Sequence, residues 1–164
     1  MKKIILLVLA LACCGISVSA QNKSGRTATA GPQKSESARR RAVRLEGSQP
    51  NGLFSPAIVA GELVFTSGQI GIDPKTGQMA QGLEEQTKQV FRNLVTVLEA
   101  AGSSTEHILK ATVFLADMAD YNAMNELYRT QFKGDPPART TVQVARLPRD
   151  ARIEIEVVAI IRKH

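Results

Sequence analysis

Two residues near the C-terminus have the types and the setting for carboxylate or acid–base chemistry. Arg139 stands behind two prolines in Pro136-Pro137-Ala138-Arg139-Thr140-Thr141-Val142-Gln143-Val144-Ala145-Arg146-Leu147-Pro148, and Glu154 lies in Arg152-Ile153-Glu154-Ile155-Glu156-Val157-Val158-Ala159-Ile160. A guanidinium grips a carboxylate through two parallel hydrogen bonds. A carboxylate partly withdrawn from water serves as a general base or holds an attacking water. Both runs alternate apolar with polar residues, the period of a strand. In the second run Ile153, Ile155, Val157, Ala159 and Ile161 share one face, which reads as core. Glu154 and Glu156 are left on the other face, which continues into Val158 and Ile160. A carboxylate on a face that turns apolar implies a partner or a pocket. The short link over 147–151 predicts that the second run folds back beside the first as a hairpin, with Arg139 reaching the region of Glu154. A plainer reading, with Arg139 a rim charge and Glu154 a solvated strand charge, stays open on pattern alone.

The elements that must position these residues follow an α+β order. Residues 53–59, the turn Ala60-Gly61-Glu62 and residues 63–68 predict an edge strand and its hairpin partner, with Pro56 tolerated only at an edge or a strand start. Gly68 and Gly71 mark a bulge or a close backbone approach, and Asp73-Pro74-Lys75-Thr76-Gly77 a turn. Over 82–101, Leu83, Val90, Phe91, Leu94, Val95, Leu98 and Ala101 recur at helical spacing. Glu84 and Glu85 suit the first turn of that helix and Gly102 its stop. Residues 108–116 predict a strand. Asp117 or Asp120 caps a second helix over about 120–132, with Tyr121, Met124, Leu127, Tyr128 and Phe132 as its buried stripe. Both helices are then free to cover one face of a single sheet.

Length and charge bound the rest. A chain of 164 residues has room for one domain, and its first twenty residues look like something else. Met1-Lys2-Lys3 is basic, residues 4–12 are an unbroken apolar run, and Val18-Ser19-Ala20 offers small residues before Gln21. That is the layout of a secretory signal peptide over 1–20, too short and wrongly flanked for a membrane-spanning helix, and it predicts a periplasmic or secreted protein. Leu11-Ala12-Cys13 faintly resembles a lipoprotein cleavage box, but Ala10 stands where a larger aliphatic is usual, so lipidation of Cys13 is the secondary reading. Cleavage after Ala20 would leave no cysteine, and with it no disulfide, thiol nucleophile or Cys-based metal site. Residues 21–44 carry seven Lys/Arg against Glu36 alone and show no hydrophobic period, the signature of a disordered tether, although 38–45 could extend into a first strand. Residues 45–164 hold twelve basic and fourteen acidic residues, so the expected domain is nearly neutral. With 4% aromatics and no Trp, a base-stacking surface for nucleic acid is not expected. His107 and His164 are solitary, and no His/Cys ligand cluster or phosphate-cradling glycine loop is present in the sequence.

Pro137-Ala138-Arg139-Thr140-Thr141-Val142, then Val144-Ala145-Arg146-Leu147-Pro148, then Ile153-Glu154-Ile155-Glu156 resemble the C-terminal signature of the RidA (YjgF) family of imine and enamine deaminases. Thr66-Ser67-Gly68-Gln69-Ile70-Gly71 is a second match, and the resemblance runs from about residue 53 to 161. It implies a chorismate-mutase-like α+β fold assembled as a trimer, with sites at the subunit interfaces. It further implies hydrolysis of 2-imino or 2-enamino acids to 2-keto acids and ammonia without a cofactor. Residue by residue, Arg139 matches the arginine that grips the substrate carboxylate and Glu154 the glutamate that orients the water. Asn125 matches a site asparagine, and Ser67 lies in the matching Ser-Gly-Gln segment. Thr141 stands where many members carry a small thiol residue, and Ser55-Pro56-Ala57 lacks the family's aromatic after a Gly-Pro. The loop from Asn125 to Arg139 is about three residues shorter than in those deaminases. The rival class is a non-catalytic trimeric module that binds small carboxylates with the same arginine. Ribonuclease activity, attributed to some relatives, fits poorly with a near-neutral domain.

Overall fold

A computed structural model describes residues 40–46 and 52–162. The expected signal over 1–20, with Cys13 and Cys14, lies outside the described residues, as do most of the expected tether and His164. In chain order the elements are β1 (Arg40–Ala42), β2 (Ala57–Ala60), β3 (Leu63–Thr66), β4 (Gln69–Ile70), α1 (Gly82–Ala101), β5 (Ile108–Leu115), α2 (Tyr121–Arg129), β6 (Ala138–Gln143) and β7 (Ile153–Ile160). They form one mixed sheet in the order β1-β2-β3-β7-β5-β6, with β4 also paired to β7. Both helices pack on one face, the α+β arrangement that the order of elements predicts.

β7 is the central strand, and its alternation is what centres it. Ile153, Ile155, Val157 and Ala159 are at most 3% exposed and join Val90, Leu94 and Leu98 of α1 and Met124 and Tyr128 of α2 in one core. Burying each large apolar side chain contributes about 1.5–3 kcal/mol, so this stripe fixes which way β7 faces. α1 spans the expected residues and stops at Gly102, whose φ of 85° is left-handed and needs no β-carbon. Val97 is buried where the spacing favoured Val95, which is 36% exposed. No basic residue lies in the last turn of α1. Distant arginines serve instead, Arg41 donating to the Ala101 carbonyl at 3.3 Å and Arg162 to the Ser103 carbonyl at 3.0 Å.

Three expectations need correction. β6 and β7 are not a hairpin: β6 runs parallel to β5, while β7 runs antiparallel to β5 on its other side. α2 is the crossover that makes this possible, because parallel neighbours need a long connection. The hydroxyl- and amide-bearing β6, entered through two prolines, takes the sheet edge where an unpaired backbone row is tolerated. β2 is not an edge either, since β1 pairs along it in antiparallel register. Finally, the folded part begins before residue 45. Arg40–Ala42 form β1, and Val43 is 1% exposed, its amide bonded to the Ala57 carbonyl at 2.8 Å. The extension of 38–45 into a first strand, left open by the sequence, is therefore the arrangement seen, in a basic context with no apolar period because the pairing is made by backbone rather than by side chains.

Candidate active site

Arg139 is the second residue of β6 and pairs in register with Ala111 of β5, a core residue. Paired residues face the same way, so its side chain lies on the helix-covered face, at the sheet edge and against α2. Its Nη2 donates to Asn125 Oδ1 at 2.6 Å, and Nη1 lies 3.8 Å from the Met124 sulfur. The guanidinium carbon stands 4.6 Å from the Tyr128 ring centre and 5.8 Å from that of Tyr121, within cation–π range of both. α2 positions all four groups, because 121, 124, 125 and 128 recur on one helical face. Thr141, two residues along the same face of β6, has its hydroxyl buried with no hydrogen bond among the described residues. The Tyr128 hydroxyl is likewise buried and unpartnered, and burial pushes its pKa up to about 12 against the opposing pull of Arg139.

Glu154 lies on the other face. On β7 it alternates with the buried Ile153 and Ile155 and stands opposite Phe114 of β5 and Ile70 of β4. Strand structure is interrupted between β3 and β4 at Ser67-Gly68, and here Gly68 is pressed against the Glu154 carboxylate so closely that any β-carbon would overlap it. That close approach is the physical reason for a glycine, as the sequence suggests. Ser67 Oγ donates to the Ser55 carbonyl at 2.7 Å, and its amide to the Pro56 carbonyl at 2.9 Å, which pins the bend beside Glu154. The Glu154 carboxylate makes no hydrogen bond or ion pair among the described residues. Desolvation raises its pKa above the ordinary carboxylate value, and the neighbouring Glu156 charge pushes the same way.

The five expected site residues therefore fall into two groups: Arg139, Asn125 and Thr141 on the helix face, Ser67 and Glu154 on the open face. Within one chain Arg139 does not reach the region of Glu154, contrary to the hairpin expectation, because β6 and β7 flank β5 and present these two residues to opposite sides. Two surface concavities of about 450–460 Å³, one lined by Ile108, Phe132 and Lys133 and one by Phe91 and Val95, include neither residue. The sequence reading placed Tyr121, Met124 and Tyr128 in a buried stripe and so missed them as the frame of Arg139. Their helical spacing was the available signal. Among the described residues no group of three His, Cys, Asp or Glu is arranged to hold a metal ion. No helix among them is long and apolar enough to cross a membrane.

The family model described as Endoribonuclease L-PSP matches residues 46–161. The human 2-iminobutanoate/2-iminopropanoate deaminase is 46% identical over 110 residues, 66% of this chain and 80% of its own length. The crystal structure of the Escherichia coli YjgF product superimposes with a TM-score of 0.69 at 36% identity, covering 74% of this chain and 99% of that one. Escherichia coli TdcF, solved with bound serine, gives 0.68 at 34% identity over the same shares. On the matched residues, the shared fold and this level of identity, the chain belongs to the YjgF/RidA family.

Proposed function

We propose that this protein is a deaminase that hydrolyses 2-imino or 2-enamino acids to 2-keto acids and ammonia, in sites completed by two copies of the chain. The observation that carries the reading is the division of the site. A guanidinium fixed by Asn125 at 2.6 Å stands at a sheet edge, and an unpaired, desolvated carboxylate stands on the opposite face. A trimer would bring one copy's Arg139 group to the next copy's Glu154 group. The open sheet face supports assembly, since it exposes Leu63, Phe65 and Val142 to 36%, 43% and 37%. The relative solved with serine holds an α-amino carboxylate, the kind of group Arg139 suits.

In this reading Arg139 binds the substrate carboxylate with Asn125 holding its fork. Glu154 accepts a proton from water as the water oxygen bonds to the imine carbon. Glu154 then passes that proton to the nitrogen, giving the carbinolamine. It next takes the carbinolamine's hydroxyl proton and delivers it to the nitrogen as the C–N bond breaks, so that 2-keto acid and ammonia leave. Imines hydrolyse readily, so orientation and proton transfer suffice and no cofactor is required. The non-catalytic carboxylate-binding module remains the rival, and the ribonuclease reading gains little from a near-neutral domain. We place the protein outside the cytoplasm on its first twenty residues alone. An oxidase or dehydrogenase there would have to supply the imine.

A mixing experiment tests chemistry and architecture together. Keto-acid release from an imine generated by an amino-acid oxidase is measured for wild type, Arg139→Ala, Glu154→Gln and a refolded one-to-one mixture of the two variants. At substrate concentrations well below KM, each variant alone is expected to be nearly inactive. The mixture is expected to recover about a quarter of wild-type activity, because in random closed rings a quarter of interfaces join two intact halves. Wild type releasing no keto acid above buffer would leave the binding module. An inactive mixture, or a monomer by light scattering at micromolar concentration, would refute the shared site.

A further inference from the structure

We infer that Arg152, held by Asp120 and Gln86, is a positioning residue that sets the place of the Glu154 carboxylate against Gly68. This rests on the proposed deaminase reading for its effect on turnover, but its geometry stands alone. Arg152 lies two residues before Glu154. Its Nε and Nη2 meet the two Asp120 carboxylate oxygens at 3.0 and 2.6 Å, a two-pronged pair, and Asp120 is 8% exposed. Its backbone is held as firmly: the amide donates to Gln86 Oε1 at 2.8 Å, and the carbonyl accepts from the Ala116 amide at 3.0 Å.

Gln86 carries the other wall. It is 5% exposed, and its Nε2 donates to the Ala80 carbonyl at 3.1 Å. Its own side chain packs on Gly71 so tightly that a β-carbon there would lie 2.8 Å from Gln86 Cβ and Cγ. Gly71 follows β4, whose Ile70 is the register partner of Glu154, and Gly68 precedes β4. The strand that bears the carboxylate and the segment pressed against it thus meet at Gln86, while Arg152 and Asp120 hold the strand from its other side. The anchoring has something to resist. The chain approaches β7 through Arg149 and Asp150, both at φ 56°, a left-handed conformation that β-carbons disfavour. Without the clamp, relaxation of that link would carry the start of β7 with it.

The charged surroundings of Glu154 make the consequence readable. Glu156 shares its strand and face, Lys110 of β5 lies further along that face, and Phe114, Ile70 and Gly68 are its uncharged neighbours. Loosening the clamp admits water to the carboxylate and lowers its pKa toward the ordinary value. Deleting the Arg152 charge by itself would act in the opposite sense, so the sign of the shift separates displacement from electrostatics.

The test uses the full chain and two variants, Arg152→Gln and Gln86→Met, the second of which alters no charge. Carbon-13 NMR titration of the Glu154 carboxyl is followed together with kcat and KM. In both variants the titration is expected to move down toward the ordinary carboxylate value. We expect kcat to fall on the order of 10- to 100-fold, as small misplacements do, with KM changed less than about threefold. Arg152→Lys should recover part of kcat, since it keeps the charge but not the fork. An unmoved Glu154 titration in Gln86→Met, with or without a fall in kcat, overturns the inference. Wild type inactive on imines would sink the deaminase reading, while the titration would still decide the clamp. If Arg152→Gln fails to fold, Gln86→Met and Arg152→Lys carry the measurement.

Discussion

The surroundings of Arg139 and of Glu154 are built on opposite principles. Arg139 sits at a sheet edge yet is surrounded: Asn125 takes one of its hydrogen bonds, Met124 lies against it, and two tyrosine rings face it. Glu154 sits on the central strand yet finds no partner among the described residues, its carboxylate crowded by a glycine and raised in pKa by desolvation. The first arrangement holds a permanent charge in one orientation, which is what gripping a carboxylate asks for. The second keeps a base short of solvent, at a cost to stability, which is what accepting a proton asks for.

The largest effect is expected at the unsatisfied residue. Glu154→Gln keeps the shape and removes the base, so kcat should fall by roughly 10² or more, while carboxylate ligands still bind. The same variant should be more stable than wild type at neutral pH. The folded-state pKa of Glu154 is raised, so the folded chain binds more protons there than the unfolded one. Stability of wild type must then fall as pH rises through the ordinary carboxylate value and on through the raised one. Thermal melts of both proteins, taken from the ordinary carboxylate value of about 4.3 upward past neutral pH, should diverge toward the alkaline end. Parallel curves would mean that Glu154 carries no such cost.

Arg139→Ala comes next and should fail in the other parameter. Losing a two-pronged charge-assisted contact costs roughly 2–3 kcal/mol in kcat/KM, mostly through KM. Arg139→Lys should recover little of it, for want of the planar fork. Ligand titration with a small keto acid checks this, and an unchanged affinity would remove Arg139 from the site. Gly68→Ala should have a smaller effect that stays on the Glu154 side. Its β-carbon overlaps the carboxylate, so overpacking should cost about 1–3 kcal/mol of stability. It should lower kcat while leaving keto-acid affinity intact, and a loss of affinity would break the separation of the two regions. The smallest effect belongs to Tyr128→Phe. Its hydroxyl is buried with no partner among the described residues, so removing it should be neutral or stabilising by up to about 1 kcal/mol. The ring that faces Arg139 remains, and an increase in KM would show that the hydroxyl serves the site after all.

What the sequence determined by itself is local and periodic. The alternation in 153–161 set which side chains of β7 are core and left Glu154 and Glu156 on the other face, because a period of two admits only one burial pattern. The helical spacing over 82–101 and Gly102 gave α1 its limits, and Gly68 announced a close approach without saying to what. Nothing local in the chain specifies strand order. Whether β7 lies beside β6 or between β3 and β5 depends on which pairing buries the most apolar surface once α2 has returned the chain parallel to β5. The same tertiary decision put Arg139 and Glu154 on opposite sides of one sheet and chose α2 to frame the arginine. It also joined Asp120, Arg152 and Gln86 across separations of 32 and 66 residues. Such contacts leave no period in the sequence, because each is made by a single pair of residues that only the folded backbone brings within reach.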